Sequence, residues 1–513
     1  MFKTLTIVFI LVFSKSESKR ILAVFSTPSI SHQIVFRPLM QELAKRGHDV
    51  TVITTDPAYP KGQNPQNLTE IDVHDISYDI WNKYILFEKG KAVDQIEQVK
   101  LAFELLGAVF EEQVKSMEVQ KLIQDKERKF DLLFIESCVR PSLSFSYLYK
   151  VPVIEFSSLG GLIGTFEAVG AAAQPLIYPI PIQRRIYNLT LWEKLSELYL
   201  HFSFKRMYYN LEISENEMLK KLFSPNIPDL CELKKNVQLI FLNVHPIWDF
   251  NRPVPPNVIY LGGLHQKLPK QLPKDLESYL DASRNGVIYI SFGTNMKPSL
   301  LPPEKLQIFT KAFSQLPYDV LWKWDKEKFP ECPKNIKIGK WFPQSDLLKH
   351  PNIKVFITQG GLQSTDEALT AGVPLIGIPM HGDQWFNTEQ YVIHNIGTKL
   401  SLETLTAEGL IKAINNIIND PSYRENVLNL RTIMYDKPLL PLERAVWWSE
   451  YVLRHGGAAR LKTRAAHMHW IEYYEIEIIL LLAVTGIILI IATVTSVYLF
   501  RKLKFFGIKV KVN

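Results

Sequence analysis

Cysteine is nearly missing from this chain: three residues in 513, Cys138, Cys231 and Cys332, scattered and odd in number. No disulfide framework or Cys/His metal cluster follows from such spacing, which excludes the small stapled scaffolds. There is no Asp-x-Asp pair and no His/Asp cluster spaced for Mg2+ or Mn2+, so no metal is expected. Internal repeats are lacking as well, which argues against a structural adhesion module. A net charge of +7 is small for this length and partly carried by the last residues, too little and too local for a nucleic-acid partner.

Long apolar runs occur only at the two ends. Met1-Phe-Lys-Thr, the stretch Leu5 to Phe13 and the small residues Ser14 to Ser18 have the layout of a secretory signal over residues 1–18. Ile478 to Phe500 is 23 positions without a charge, long enough to cross a bilayer with some tilt. Glu472, Glu475 and Glu477 precede it, while Arg501, Lys502, Lys504, Lys509 and Lys511 follow. The basic side is expected in the cytosol, giving a single-pass type I protein with its bulk in the lumen. Sequons at Asn67 and Asn188 agree with that side. The ending Lys509-Val-Lys-Val-Asn513 resembles a dilysine retrieval tail, which implies the endoplasmic reticulum membrane.

Between the ends, 47% apolar content supports two sizeable cores. Ile21 to Ser26, a helical pattern from Gln33 to Arg46, and Asp49 to Thr55 form one βαβ unit; Phe130 to Ile135 and Val151 to Phe156 add buried strands. Pro175 to Phe223 breaks this rhythm and is expected to make helices and loops over an acceptor pocket. The proline-rich stretch from Trp248 to Pro273 suits a linker. A strand and Ser/Gly turn at Gly286 to Thr294 and strands at Val320 to Trp324, Ile336 to Ile338 and Ile353 to Ile357 then alternate with helices at Pro303 to Gln315 and Ala407 to Asn419, as a second parallel sheet requires. The expected division is 19–262, 263–440, closing helices over 441–475, a membrane helix at 476–500 and a basic tail at 501–513.

The most specific stretch begins Phe356-Ile-Thr-Gln-Gly-Gly-Leu-Gln-Ser-Thr-Asp-Glu and ends Val373-Pro-Leu-Ile-Gly-Ile-Pro-Met-His-Gly-Asp-Gln384. A strand runs into Gly360-Gly361, and the helix that follows turns its unpaired amides toward the strand end, where a phosphate can be held. Gln363 and Glu367 are four apart on one helical face, placing a carboxylate one turn further, at ribose distance. Asp383 and Gln384 close a second strand, with hydrogen-bonding groups suited to hexose hydroxyls. Read alone, this is also an ordinary βαβ unit.

The full string, F-I-T-Q-G-G-x2-S-x2-E-x6-P-x4-P-x3-D-Q, resembles the signature of the UDP-glycosyltransferases, the UDP-glucuronosyl and UDP-glucosyl transferase family. That resemblance implies an α/β chain of GT-B fold, two Rossmann-like doubly wound domains facing across a cleft, with a C-terminal transmembrane helix. It also implies sugar transfer from a UDP donor to a small lipophilic acceptor, with no cofactor. Gln359 stands where many vertebrate members carry His, and Trp385 with Asn387 resembles the insect branch, which favours UDP-glucose over UDP-glucuronate.

Catalytic groups should lie in loops at the carboxyl ends of strands. From the residues alone, His32 is either a turn contact or a general base; the resemblance makes it the base. Glu136 falls where the family usually has the Asp that orients this base, a departure by one methylene. His48, on the opposite edge, reads as structural. The resemblance brings Ser291, Gly293 and Thr294 to the diphosphate together with Gln359, Gly360, Gly361, Gln363 and Ser364. It also brings Trp341 to stack on uracil, and Gln344, in Trp-x-Pro-Gln, to read its edge. Gln359 would replace a charged contact by a neutral one. Arg252 reads as a surface residue, or as a partner for a glucuronate carboxylate; His381 departs from a usually apolar position. Other readings are a glucuronosyltransferase and a catalytically silent, membrane-anchored binding protein. Homo- or hetero-oligomers are compatible with either.

Overall fold

The computed structural model describes residues 18–87, 94–294, 296–329 and 332–505. The expected signal through residue 17 and the retrieval tail lie outside them. Thirteen strands fall into two sheets among the described residues. The first contains β1 (Arg20–Phe25), β2 (Asp49–Thr54), β3 (Leu68–Asp72), β4 (Leu132–Glu136), β5 (Val153–Ser157), β6 (Val237–Leu242) and β7 (Val258–Tyr260) in the order β3-β2-β1-β4-β5-β6-β7. The second contains β8 (Val287–Ser291), β9 (Asp319–Lys323), β10 (Ile336–Gly339), β11 (Ile353–Thr358), β12 (Leu375–Gly377) and β13 (Gly397–Lys399) in the order β10-β9-β8-β11-β12-β13. Every pairing is parallel.

The helices that position the site are α1 (Ile30–Lys45), α2 (Gln95–Lys115), α3 (Leu191–Leu222), α4 (Leu362–Ala371), α5 (Gln384–Ile393), α6 (Pro441–His455) and α7 (Ile476–Phe505). Sequence alternation decides which face each covers. Ala23 and Phe25 of β1 pack with Val35, Phe36 and Leu39 of α1, whereas Leu22 and Val24 point the other way, into a cluster holding Phe110 and Val114 of α2. Burial on both faces is what an all-parallel sheet demands. α6 returns from the second domain to the first, adding Ala445, Val446 and Val452 to the α1 cluster.

The irregular region expected over an acceptor pocket resolves into loops and one 32-residue helix, α3, started by a capping box in which Thr190 and Glu193 satisfy each other's backbone amides. One side of α3 leaves Trp192, Leu195, Tyr199, Phe202, Tyr209 and Ile213 exposed. α7 buries none of its residues, and its mean hydropathy of 2.9 over a membrane-length window marks it as long and apolar enough to span a bilayer.

The proline-rich stretch corrects a sequence expectation. Only its second part is an exposed connection, over residues 267–271; before that it carries β7, and Trp248, Asp249, Arg252, Leu264 and His265 are buried. Arg252 is thus not a surface residue. Its guanidinium pairs with Asp249 at 3.1 Å and donates to the carbonyls of Ala172, Tyr178 and Pro179, while the Tyr260 hydroxyl donates to Asp249 at 2.6 Å. Those five donor–acceptor partners repay the desolvation of the charges, and they leave the guanidinium no free edge for a substrate carboxylate. Arg252→Ala is expected to cost about 3–5 kcal/mol by stranding Asp249 in the interior, read as a lowered midpoint in a denaturant titration. Arg185→Ala, which breaks an exposed pair with Glu193, should leave the midpoint near wild type.

Candidate active site

The carboxyl ends of β1 and β4 lie side by side, with Val24 paired to Ile135. The loop after β1 enters α1 at once, so His32 stands in the first turn of that helix, and Glu136 is the last residue of β4. His32 Nδ1 lies 2.6 Å from Glu136 Oε1. Glu136 is fully buried, and its Oε2 accepts from the Thr27 amide at 3.0 Å. The extra methylene of Glu over Asp is thus taken up by bridging base and loop. Ser158, just past β5, brings its hydroxyl to 3.0 Å from the same Nδ1. With Nδ1 bound on this side, the neutral imidazole keeps its Nε2 lone pair for a proton acceptor's work.

Sequence reasoning missed Ser158, although a Ser-Ser pair at a strand's carboxyl end was a visible signal. It also missed Cys138, whose Sγ lies with the His32 and Glu136 ligand atoms inside a 4.8 Å group. Burial pushes the Cys138 thiol well above its usual value, so at neutral pH it is an uncharged neighbour of the dyad. His48 is buried away from this site, accepting from the Lys19 amide at 3.3 Å and lying 3.8 Å from Glu450.

In the second domain β8 and β11 repeat the arrangement, with Thr358 paired to Ser291. Ser291 is buried, Thr294 is exposed, and Gly293 adopts φ +75° between them. A Cβ on Gly293 would meet Gln359 Nε2 at 2.4 Å, so Gln359 lies directly over this turn. Gln359 Oε1 is buried without a hydrogen-bond partner among the described residues, leaving an amide for a ligand to complete. Gly360, at φ +92°, has no room for a Cβ against Thr388 and the Gln384 carbonyl, and Gly361 caps α4. Trp341 is 67% exposed, and the Lys323 ammonium sits 4.6 Å from its ring centroid while also donating to the Gly293 carbonyl. Lys323 is a cation beside the turn that no motif announced.

Several expected contacts are engaged within the protein. The Gln344 amide, expected at a uracil edge, donates to Ser364 Oγ at 2.9 Å and Glu367 Oε2 at 2.7 Å and accepts from the Tyr289 hydroxyl. Burial raises the Glu367 carboxyl, and Gln344 opposes that rise. Gln384 accepts from the Met380 and His381 amides, fixing the loop that carries Asp383. Asp383 accepts from Asn387 at 2.7 Å; burial pushes its carboxyl up to about 6, against that bond, the field of His32 and the Leu362 amide at the start of α4. The hexose-type carboxylate and the phosphate-type helix start therefore share one spot.

The two halves meet through named contacts. Gln363 donates to the Ser158 carbonyl at 3.1 Å, Trp248 Nε1 to Asn387 at 2.9 Å, and Gln98 lies 3.1 Å from His381 Nδ1, so His381 faces the first domain. Arg184 covers the Trp385 ring at 4.0 Å. The cleft thus places an imidazole on one wall and, on the other, a glycine turn, a helix start and a half-buried carboxylate. That geometry suits deprotonating a hydroxyl opposite a bound phosphate ester.

A family model described as UDP-glucoronosyl and UDP-glucosyl transferase matches residues 21–512. The chain is 36% identical over 498 residues to an ecdysteroid UDP-glucosyltransferase of Spodoptera littoralis nuclear polyhedrosis virus, covering 92% of this chain and 96% of that protein. It is 33% identical over 484 residues to UDP-glucosyltransferase 2 of Dactylopius coccus, covering 93% and 92%. Among solved structures, UDP-glucose: anthocyanidin 3-O-glucosyltransferase in complex with UDP superposes with a TM-score of 0.58 at 19% identity, over 85% of this chain and 99% of that one. The glycotransferase of kitacinnamycin gives 0.57 at 18%, over 86% and 100%. These likenesses carry the fold, which is GT-B.

One buried group in α4 sets a pH test. Asp366 is 6% exposed, its Oδ2 has no partner among the described residues, and burial pushes its carboxyl up to about 7. The folded state therefore binds this proton more tightly than the unfolded chain, and the group erodes stability as pH climbs from about 4 to 7. Asp366→Asn should stabilise the protein by an amount that grows over that interval and then levels off, on the order of a few kcal/mol at pH 8. Thermal melts of both proteins at pH 5 and 8 would show it.

Proposed function

The chain belongs to the UDP-glucuronosyl and UDP-glucosyl transferase family, and from that premise we propose that this glycosyltransferase moves glucose from UDP-glucose to a hydroxyl of small lipophilic acceptors, with inversion at the anomeric carbon. The observation that carries the reading is His32 held at 2.6 Å by buried Glu136, across the cleft from Asp383 and the start of α4. His32 Nε2 takes the acceptor's proton as the acceptor oxygen attacks C1. The C1–O bond to the β-phosphate breaks, and UDP leaves with the electron pair. Glu136 and Ser158 steady the imidazolium, while the amides at Gly360 and Gly361, Thr294 and Gln359 hold the developing phosphate charge. Trp341 stacks on uracil, Gln344, Ser364 and Glu367 form the wall beside the ribose, and Asp383 with Gln384 binds the hexose hydroxyls. Each step uses only this chain's own groups.

Glucose is favoured over glucuronate because both relatives above are named as glucosyltransferases, and because Arg252 is committed inside the protein. The name of the viral relative extends the acceptor range to ecdysteroids. α7 supports a bilayer anchor, and the exposed aromatic row of α3 suits contact with the membrane surface. With the basic flank in the cytosol, the cleft would face the lumen of the endoplasmic reticulum.

His32→Ala is expected to lower kcat by at least about 100-fold with the UDP-glucose KM little changed, followed as glucoside formed from a phenol; equal turnover would remove the assignment of His32 as base. Glu136→Gln should fall between the two. Asn67 and Asn188 are exposed, so Asn67→Gln and Asn188→Gln should each delete one endoglycosidase-sensitive step in gel mobility. A protein with no such step in either case would contradict the lumenal topology.

A further inference from the structure

On the sheet face opposite α1, a cavity of about 120 Å³ reaches from the end of β4 to the segment that leads into the membrane helix. Its inner wall includes Ile135, Glu136 and Ser137, and its sides carry Glu155 of β5 and Asn257 beside β7. Two features point to a ligand. Asn257 is 1% exposed, and its Oδ1 has no partner among the described residues. The cations that line the same space are already committed: Arg140 to Glu212, Glu215 and the Tyr208 carbonyl, Lys234 to Glu212, and Lys462 to the Lys235 carbonyl. Asn257 is therefore left with an unpaired acceptor in a space that also holds Glu155, which Ser137 bonds and the Lys234 charge favours, beside the apolar side chains of Ile163 and Val169. Buried groups of that kind call for a donor.

The outer wall comes from far along the chain. Residues 462–467 cross the loop after β5, with Thr463 Oγ1 donating to the Val169 carbonyl at 3.1 Å and the His467 amide donating to the Ala168 carbonyl at 3.0 Å. Gly170 admits this crossing: a Cβ there would lie 2.5 Å from Thr463 Oγ1 and 2.9 Å from the Ala465 carbonyl carbon. Ala466 and His467 then line the cavity, shortly before α7 begins at Ile476. For scale, an apolar cavity of roughly 150 Å³ holds one benzene ring. This space takes one ring or a branched side chain, not a whole polycyclic acceptor.

We infer that this cavity is a distal acceptor subsite, in which Glu155 and Asn257 bind a second hydroxyl of the acceptor and the juxtamembrane segment 462–467 forms the specificity-determining outer wall. The inference rests on the acceptor reading given above and narrows it to lipophiles carrying at least two hydroxyls, one reacting near His32 and one held here. Access from the side of the membrane segment would suit ligands that partition into lipid.

The test uses the full chain in detergent micelles, with calorimetric binding of a polyhydroxylated steroid and of UDP, and glucosylation of 1-naphthol as a one-hydroxyl control. Ala466→Trp, which fills the outer end, and Asn257→Leu, which removes the unpaired oxygen, should each weaken steroid binding about 10-fold or more, the scale of one lost hydrogen bond or contact. UDP affinity and the naphthol KM should stay within about twofold of wild type. Steroid binding unchanged in both variants would overturn the inference, as would wild type binding the steroid no better than its deoxygenated analogue. If Ala466→Trp loses UDP binding, it has failed to fold and Asn257→Leu decides alone. Absence of naphthol turnover in wild type would count against the enzymatic reading, whereas the steroid titration judges this subsite independently.

Discussion

The chemistry depends on one constraint of chain order: two strands that are neighbours in the sheet but distant in sequence, β1 and β4, send their loops to opposite sides. Parallel pairing fixes their carboxyl ends within a strand spacing of each other, roughly 5 Å. A histidine from one loop and a carboxylate from the other strand end then meet without any special scaffold. The second domain repeats the constraint at β8 and β11, where Ser291 and Gly360 take the corresponding places. What differs between the two crevices is residue type: titratable groups on one wall, glycines and a helix start on the other. Catalysis of transfer needs both.

A continuous set of hydrogen bonds joins those walls. Gln363 of α4 donates to the Ser158 carbonyl, and the Ser158 hydroxyl touches the His32 ring. The helix expected to hold the donor thus reaches, through one residue, the group expected to activate the acceptor. Beside it the ion pair of Arg252 and Asp249 is enclosed by carbonyls and the Tyr260 hydroxyl. Enclosed charge of this kind is tolerable only with complete satisfaction, which ties the stretch from Asp249 to Tyr260 specifically to the loops of the first domain.

Much of this was legible in the chain because local rules agreed with the fold. The continuous apolar runs of β1 and β4, the glycines before α4, and the spacing of Gln363 and Glu367 all act over a few residues. Strand-end position made His32 and Glu136 candidates, and the family resemblance gave them their expected roles. Arg252 did not, because its partners at Ala172, Tyr178 and Pro179 lie some seventy residues away in an irregular loop. Proline richness was read as a linker, although proline lacks an amide and is therefore cheap to bury beside a turn. Cys138 and Lys323 were equally hidden, since their relevance lies in which neighbours the sheets deliver. The surroundings of Gln344 were hidden for the same reason: Glu367, Ser364 and Tyr289 lie around its amide.

The backbone passes between the lobes at two places, after β7 and again before α6, and these passages touch: Lys437 donates to the Gly262 carbonyl at 3.1 Å, and Gln266 meets the Tyr435 hydroxyl. Two adjacent covalent crossings act like the paired pins of a door. They suppress sliding and twisting and leave one soft rotation, about the line through both pins, as the route by which the lobes part. Since α6 is packed on the first lobe and the chain continues from it to the apolar helix α7, that lobe is the natural jamb. Rotation about that line would carry the second lobe, which lacks this tie.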